Sequence, residues 1–289
     1  MIDAWTIRPF SSLGDYEACV ALQEETWGHG FSERVPTAIL KVSQILGGVA
    51  AGAWSADGRL LGFVFGMTGQ RDGEPVHWSD MLAVRPEARS SGLGTALKHY
   101  QRTRMLEAGI HTVLWTFDPL RARNAHLNFT RLGVRSDEYV EDMYGATDSP
   151  LHRGIGTDRL VVRWELDDPE VEARVAGTFE PPASTERLPA ALDVLEGPPG
   201  LERPGSPHLG LESSRVTVCV PANIGGIMQA APELALEWRR RSRLALTHYL
   251  ARGWEVRAFL RDAGSPRYLL VRVAQPGDAA TESIPAPSS

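Results

Sequence analysis

The hydrophobic and polar positions of the first 166 residues follow strand-like and helix-like patterns in turn. Apolar spacing over 16–26 predicts an amphipathic helix. Apolar runs at 49–55 and 59–67 flank Asp57-Gly58, which is typical of a hairpin because glycine supplies the positive φ that a tight turn needs. Similar patterns predict further strands at 5–9, 76–84, 111–117, 138–144 and 159–166, and further helices at 36–46, 92–109 and 123–132. This order predicts a mixed α/β fold, with one central mixed sheet flanked by helices.

The rest of the chain divides into three stretches. Residues 167–210 contain eight prolines and little apolar periodicity, which is typical of an extended linker. Residues 211–273 predict a smaller C-terminal βαββ unit that we expect to dock onto the first block. The small and polar residues 274–289 predict a disordered tail. We therefore predict two domains, at 1–166 and 211–273, joined by the linker.

Composition narrows the function mainly by exclusion. The 289 residues carry a formal net charge of −6, which disfavours generic binding to nucleic acid. Cys19 and Cys219 predict no disulfide framework, and the eight histidines include no pair spaced to bind a metal. Every apolar stretch is far shorter than the ~20 residues that span a bilayer, and the first residues do not resemble a signal peptide. We expect a soluble cytoplasmic protein with no membrane, nucleic-acid or metal partner.

The segment between the strand 76–84 and the helix 92–109 carries the most chemical information. A helix start leaves about four backbone N–H groups without partners and is partly positive, so it suits a phosphate. Gly92 and Gly94 have no Cβ to keep a phosphate from the backbone, and Arg89 adds a bidentate donor. The sequence therefore predicts an anion site at this turn.

Three kinds of phosphate site could use such a turn. A Walker P-loop needs Lys followed by Ser or Thr after its second glycine, but Thr95-Ala96 follows Gly94. A dinucleotide-binding turn needs a third glycine, where Leu97 stands, and a glycine close to the first strand. The third kind is a pyrophosphate-binding turn for coenzyme A.

The hexapeptide Arg89-Ser90-Ser91-Gly92-Leu93-Gly94 resembles the R/Q-x-x-G-x-G/A motif of the GNAT superfamily of acyl-CoA-dependent N-acyltransferases. The segment from Asn124 to Val134 is similar to the family helix that ends in leucine-glycine-aromatic, although Val134 stands in the aromatic position. The element order over 1–166 fits as well, so the resemblance covers somewhat over half of the chain. With Trp115-Thr116-Phe117-Asp118-Pro119 and a C-terminal helix that contains Trp238-Arg239, the chain resembles a longer GNAT subgroup with an extra C-terminal unit.

The resemblance implies an acyl-CoA co-substrate and no metal. It implies that the strand near Leu82 diverges from its neighbour and pairs its backbone with the pantetheine amides, and that the amides from Ser90 to Thr95 bind the pyrophosphate. The implied cofactor-binding residues are Leu82, Ala83, Val84, Arg89, Ser90, Ser91, Gly92, Leu93, Gly94, Thr95 and Asn124. For Asn124, capping of its own helix is the alternative role.

The implied reaction is direct attack of an amine on the thioester, and a base must take the proton of the amine. Asp80 lies on the strand beside the expected thioester, and Asp118 ends the next strand, where open α/β sheets bind ligands. Many family members protonate the leaving thiolate with a Tyr four positions before the helix-ending glycine. Phe129 stands there, so Tyr139, Tyr144 or water must serve instead. We predict Asp80, Asp118 and Tyr144 as catalytic residues.

Several other polar residues receive structural interpretations. His77 lies on the same strand as Asp80 and is interpreted as a packed side chain. Asp158-Arg159 is interpreted as a surface salt bridge, with binding of a charged substrate as the alternative. The basic run at 239–243 predicts a solvated helix face, with a contact to the cofactor phosphate as the alternative.

We expect an enzyme that moves an acetyl or succinyl group from acyl-CoA to the amine of a small molecule such as an amino acid. Some relatives in the longer subgroup are associated with N-succinylation, which implies that Arg121, Arg123 or Arg159 faces the carboxylate of the donor. Two alternatives stay open: a non-catalytic CoA-binding or interaction module, and an enzyme that acetylates proteins or peptides. A homodimer stays open as well.

Overall fold

The computed structural model describes residues 5–29, 31–145, 154–180, 188–261 and 265–273, and the predicted tail at 274–289 lies outside them. In chain order the elements are β1 (Thr6–Pro9), α1 (Leu13–Trp27), α2 (Thr37–Ile45), β2 (Val49–Trp54), β3 (Leu60–Arg71), β4 (Glu74–Val84), α3 (Leu93–Glu107), β5 (Thr112–Phe117), α4 (Ala122–Ala125), β6 (Arg135–Val140), β7 (Arg159–Glu165), α5 (Pro169–Ala176), β8 (Ala190–Leu192), β9 (Val194–Glu196), β10 (Glu202–Pro204), β11 (Arg215–Cys219), α6 (Ile224–Ala230), α7 (Pro232–Leu250), β12 (Trp254–Leu260) and β13 (Arg267–Arg272). A 3-10 turn over Pro86–Ala88 precedes α3, and a π-helical stretch over His126–Leu132 continues α4.

Within the described residues, eleven strands form one sheet, in the order β1-β2-β3-β4-β5-β7-β6-β12-β13-β11-β8. β4 and β5 are parallel, as are β8 and β11, and the other neighbours run antiparallel. β9 and β10 form a separate short hairpin. The mixed α/β prediction is therefore confirmed. The C-terminal strands, however, continue the first sheet instead of only docking onto it.

The two halves of the sheet meet where β6 lies beside β12. A single residue pair, Ser136 with Val256, forms this junction, whereas β6 and β7 pair at four positions. The π-helical stretch adds a contact, because the Thr130 hydroxyl donates to the carbonyl of Phe259 at 2.9 Å. We refer to the β6–β12 junction as the seam.

Local sequence chemistry sets the ends of several elements. The predicted β2–β3 hairpin is present, with Gly58 at φ 81° in its turn. β6 spans Arg135–Val140 instead of the predicted 138–144. The reason is Gly133, which at φ 76° ends the preceding helix in the left-handed conformation, so that the strand follows at once.

The segment predicted as an extended linker contains ordered elements. Helix α5 begins with Pro169 in its first position, where the missing N–H costs nothing, and the Asp168 side chain caps it. Farther along, β8 pairs with β11 at the edge of the sheet. The proline-rich composition gave no sign of this helix, because the first position of a helix tolerates proline. The division of the chain into domains stays a prediction.

Two apolar clusters cover the two faces of the sheet. Neighbouring residues of β3 belong to different clusters: Phe63 and Phe65 to the smaller one, and Val64 between them to the larger one. The smaller cluster packs α1 and α2 against the sheet, whereas the larger one combines side chains from both halves of the chain. Within the described ranges, no helix is long and apolar enough to cross a membrane.

Candidate functional site

The parallel strands β4 and β5 diverge along their length. Their ladder consists of three pairs and ends with Trp78 beside Leu114, so the backbone of β4 beyond this point pairs only with β3 on its other side. β4 also carries a β-bulge: Gly66 of β3 faces Ser79 and the next partner is Met81, which leaves Asp80 as the extra residue. The divergence expected near Leu82 is thus present, with a bulge at its base.

A cavity of about 480 Å³ opens where the two strands diverge. Residues of β4 line one wall, and the end of β5 with the start of α4 lines the other. The predicted residues Leu82, Asp80, Asp118, Asn124 and Tyr144 all line this cavity. The fold therefore brings together side chains that lie up to 64 positions apart in sequence.

The turn before α3 has the backbone of an anion site. Ser90 and Gly92 take positive φ angles of 67° and 87°, and no side chain caps the first turn of α3. A Cβ on Gly92 would meet nothing within 4 Å, and one on Gly94 would lie 3.8 Å from the Leu82 side chain. An extended ligand could therefore run from the turn along Leu82 into the cavity. Arg89 ties the turn to β4, since its Nε donates to the Val84 carbonyl at 3.0 Å.

Residues 15–133 match the family model described as the acetyltransferase (GNAT) family. The matched stretch contains the diverging strands, the bulge and the turn before α3. This chain contains a GNAT acetyltransferase domain. It is therefore an acyltransferase, and the resemblance read from the hexapeptide at 89–94 is confirmed.

Solved structures resemble part of the chain, whereas no curated protein matches it in sequence at a significant level. One is yncA from Salmonella typhimurium with its cofactor acetyl-CoA, at 19% identity and a TM-score of 0.46, over 57% of this chain and 96% of that one. Another is the ribosomal-protein-S18-alanine N-acetyltransferase from Escherichia coli, at 18% identity and a TM-score of 0.43, over 57% and 96%.

Asp80 is the carboxylate best placed for proton transfer in the GNAT domain. Its side chain reaches the cavity and is open to solvent there. The surrounding walls desolvate the carboxylate and raise its pKa, and a hydrogen bond from Trp78 lowers the pKa in part. A raised pKa brings the carboxylate closer to the range in which a general base works at neutral pH.

Behind Asp80 lies a buried polar network that the sequence analysis missed. The Nζ of Lys98, on α3, donates to the Ser79 hydroxyl at 2.7 Å and to the Gln101 amide oxygen at 3.1 Å. The Gln101 amide nitrogen lies 2.9 Å from Nε2 of His77, whose Nδ1 lies 3.2 Å from the Thr68 hydroxyl. This pattern fits a neutral imidazole with its proton on Nδ1.

Burial sets the protonation of this network. It lowers the pKa of Lys98 to about 7, and burial, together with the charge of Lys98, lowers the pKa of His77 to about 3. His77 is packed, as interpreted from the sequence. The missed signal was the helix pattern itself, since Lys98 and Gln101 occupy the buried stripe of α3 between Leu97 and Met105.

Asp118 is held by an arginine from the far end of the chain. The Asp118 carboxylate accepts from Arg239 of α7 at 2.8 Å, and both side chains are almost fully buried, at 3% and 1% exposure. The same carboxylate accepts from the Leu120 amide at 2.9 Å. This geometry favours a positioning role for Asp118, which fixes the end of β5 beside the cavity. The catalytic role of Asp118 stays a prediction.

The basic run on α7 differs from its predicted role as a solvated face. Arg239 is buried, and Arg243 binds the Asp158 carboxylate with two hydrogen bonds, at 2.6 and 2.7 Å. Asp158 is itself fully buried, so it pairs with Arg243 instead of forming a surface salt bridge with Arg159. Helical spacing explains the difference, because positions 239 and 243 lie on the face of α7 that turns toward the first half of the chain.

The two tyrosines considered as substitutes for the family tyrosine have different surroundings. Tyr144 lines the cavity, and its hydroxyl lies 3.1 Å from the Thr116 hydroxyl. The Tyr139 hydroxyl donates a hydrogen bond to the Asp158 carboxylate at 2.5 Å, and burial raises the pKa of this tyrosine above its ordinary value. Phe129 is completely buried and packs against Phe117. Of the two tyrosines, only Tyr144 lines the cavity.

The remaining candidates differ in whether they line the cavity. Asn124 does not cap its helix, because Arg121 is the N-cap residue of α4, so the alternative role for Asn124 was wrong. Arg121 and Arg159 line the cavity, whereas Arg123 is exposed and lies outside its lining. Among the described residues, no cluster of His, Cys, Asp or Glu has the arrangement of a metal site.

Proposed function

We propose that this GNAT enzyme transfers an acyl group from acyl-CoA to the primary amine of a small molecule. The observation that carries the proposal is the continuous path from the uncapped turn before α3, along Leu82, to the bulge at Asp80. The cavity of about 480 Å³ has the size of a small-molecule site. A small acceptor therefore fits better than an extended peptide.

The residues present fit coenzyme A. The open space above Gly92 and the positive φ angles at Ser90 and Gly92 support binding of an anion such as the pyrophosphate by the backbone N–H groups of this turn. The backbone of Leu82, Ala83 and Val84, which β5 leaves unpaired, is available for the amides of the pantetheine arm. When bound, acyl-CoA supplies the activated thioester.

The residues at the bulge would polarise the thioester carbonyl and accept the proton of the amine. A backbone N–H at the bulge, freed from the ladder, would polarise the carbonyl that is attacked. Asp80 would accept the proton of the attacking amine, directly or through one water, because its carboxylate opens into the cavity. Asp118 and Arg239 would hold the opposite wall in place.

The cavity also favours a substrate that carries a carboxylate. Arg121 and Arg159 line it, and Asp118 pairs with Arg239 at 2.8 Å and with Arg121 at 3.7 Å, so two arginines flank this single carboxylate. A planar guanidinium binds a carboxylate through two parallel hydrogen bonds. We therefore propose an amino acid as the acceptor, with succinyl as well as acetyl groups as candidate acyl groups.

The test combines calorimetry with CoA and thiol release from acetyl-CoA or succinyl-CoA across a panel of amines. We expect CoA to bind and amino acids to be acylated. The Arg159→Met variant should lose at least tenfold in kcat/KM for the carboxylate-bearing substrate, whereas the matched variant Arg123→Met should stay within twofold of the wild type. Turnover restricted to peptides, or equal losses in both variants, would contradict the proposed acceptor class.

A further inference from the structure

Lys98 occupies the point at which β4 and β5 part. The last paired residues are Trp78 and Leu114, and the next residue on each strand is a contact of Lys98. Its Nζ lies 2.7 Å from the Ser79 hydroxyl and 3.7 Å from the centre of the Trp115 ring. Lys98 also lines the cavity. Its amine therefore stands at the base of the divergence, one helical turn after Gly94.

The surroundings of Lys98 are unusual for a lysine. The side chain is buried, and within the described part of the chain its hydrogen-bond partners are the neutral Ser79 and Gln101, with no carboxylate in an ion pair. A buried ammonium without a counter-ion is costly, so such a group changes its protonation easily. The other charged or titratable groups around it are His77 and Asp80 of β4, Asp118 after β5, and Glu33, Arg121, Tyr144 and Arg159 of the cavity lining.

The residue type adds to this argument. The chain contains 28 arginines and only two lysines, Lys41 and Lys98. An arginine at position 98 would keep its proton throughout the neutral range, whereas a lysine can release one when buried. A cation that titrates therefore stands where the thioester is expected to arrive, and Phe129, at the position of the family tyrosine, has no proton to give.

We propose that Lys98 donates a proton to the sulfur of the departing coenzyme A, an inference that rests on the function proposed above. As the bond between the acceptor nitrogen and the acyl carbon forms, the carbon–sulfur bond breaks and its electron pair goes to sulfur. The Nζ proton of Lys98 moves to that sulfur, which leaves a neutral amine beside Ser79. The proton that Asp80 took from the acceptor returns to Lys98 through water, so the cycle neither gains nor loses protons.

The alternative donor is Tyr144, which stands at the mouth of the cavity. Its side chain is 43% exposed, whereas Lys98 is 3% exposed and lies at the base of the divergence. The path from the turn leads along β4 toward Asp80 and Ser79. The geometry thus favours Lys98 as the group that meets the sulfur.

The first test compares the binding of CoA with that of desulfo-CoA, which lacks the sulfur, to the wild type and to Lys98→Met. The wild type should bind CoA at least tenfold more tightly than desulfo-CoA above neutral pH, where the neutral Lys98 amine can accept a hydrogen bond from the thiol. The Lys98→Met variant should bind the two within twofold of each other. Lys41→Met, which removes the exposed lysine, is the matched control and should behave as the wild type.

The second test reads the protonation of Lys98 in the wild type, and the turnover of Lys98→Met accompanies it. In protein labelled with isotopes at lysine, two side-chain signals report Nζ protonation, because the chain has two lysines. We expect CoA to shift the titration of Lys98. We expect desulfo-CoA to leave it where it stands in the protein without ligand. Turnover of Lys98→Met should fall at least a hundredfold and lose the decline of kcat at high pH.

The outcomes distinguish a failure of the proposed function from a failure of the proposed role of Lys98. If the wild type binds neither CoA nor desulfo-CoA, the proposed function itself is wrong. If both bind, but with the same ratio in the wild type and in Lys98→Met, or if CoA leaves the Lys98 titration unchanged, then Lys98 does not face the sulfur. A structural role alone would weaken both ligands equally.

Discussion

At the scale of single residues, the site depends on polar groups placed inside the sheet. Ser79, Lys98, Gln101 and His77 form one buried chain of hydrogen bonds. Gly66 makes room for it, because a Cβ there would lie 2.3 Å from His77 Nε2. Burying these polar groups lowers the stability of the fold. A protein that needed these positions only for packing would be more stable with apolar side chains there.

Replacing Lys98 by Met should therefore stabilise the protein in a pH-dependent way. The pKa of Lys98 is about 7 in the folded state against 10.5 in the unfolded chain. Protonation thus favours unfolding, and the wild type loses stability as the pH falls from 10.5 to 7, with no further loss from this group below that. At 1.36 kcal/mol per pKa unit, the ceiling of this effect is about 5 kcal/mol.

The measurement is urea unfolding of the wild type and Lys98→Met at several pH values. We expect the variant to be more stable by a few kcal/mol at about pH 6, with the difference shrinking toward pH 10. Lys41→Met should show no such trend, since its side chain is exposed. A stability difference that does not change with pH would contradict the buried, titrating amine.

At the scale of elements, the turn before α3 and the bulge of β4 do most to shape the site. The turn was predictable, because glycine at 92 and 94 and the proline at 86 act through their own backbone. The hairpin at Gly58 was predictable for the same reason. The bulge at Asp80 was not, since it depends on how β3 and β4 align, and nothing local in the sequence marks it.

Replacing Gly92 by Val should block CoA binding while the domain still folds. The added branches would occupy the open space above the turn, and the positive φ of 87° costs a β-branched residue about 1–2 kcal/mol. Calorimetry should show at least a tenfold loss of CoA affinity, with a modest fall in Tm. Gly109→Val is the matched control, because Gly109 also has a positive φ, of 71°, and open space at the other end of α3.

The control separates strain from obstruction. If Gly109→Val lowers the Tm by a similar amount but keeps CoA affinity, the loss in Gly92→Val comes from the turn itself. Undiminished CoA affinity in Gly92→Val would show that the pyrophosphate does not bind at this turn.

At the scale of the whole molecule, the C-terminal half is part of the structure around the site. Arg239 reaches Asp118 across 121 positions of sequence, and the Tyr268 hydroxyl donates to the Pro119 carbonyl at 2.6 Å. Such contacts cannot be read from periodicity, which is why the sequence predicted α7 as a helix but its basic residues as a solvated face. The fold class could be predicted, whereas the joining of the two halves required the tertiary structure.

Replacing Arg239 by Leu should destabilise the protein strongly, because it leaves the Asp118 carboxylate buried without its partner from α7. Loss of one member of a buried ion pair costs about 3–5 kcal/mol. Thermal and urea unfolding should show this loss, whereas Arg240→Leu, at the exposed neighbouring position, should change stability little.

A second substitution isolates the role of charge. Adding Asp118→Asn to Arg239→Leu removes the buried charge but keeps an oxygen that can accept from the Leu120 amide. The double variant should recover part of the lost stability. If the double variant is as unstable as the sum of the two single variants, the Asp118–Arg239 pair does not join the halves.

The seam is the junction at which the two halves of the sheet share the fewest backbone pairs. Among the described residues, Ser136 and Val256 are the one pair across it, so bending there breaks fewer ladder hydrogen bonds than bending at either neighbouring ladder of the sheet. Helix α7 bridges the seam, and its Arg239 binds Asp118 at the far wall of the cavity. A small tilt of the C-terminal half about the seam would therefore move Arg239, and with it the wall of the cavity that Asp118 helps to form.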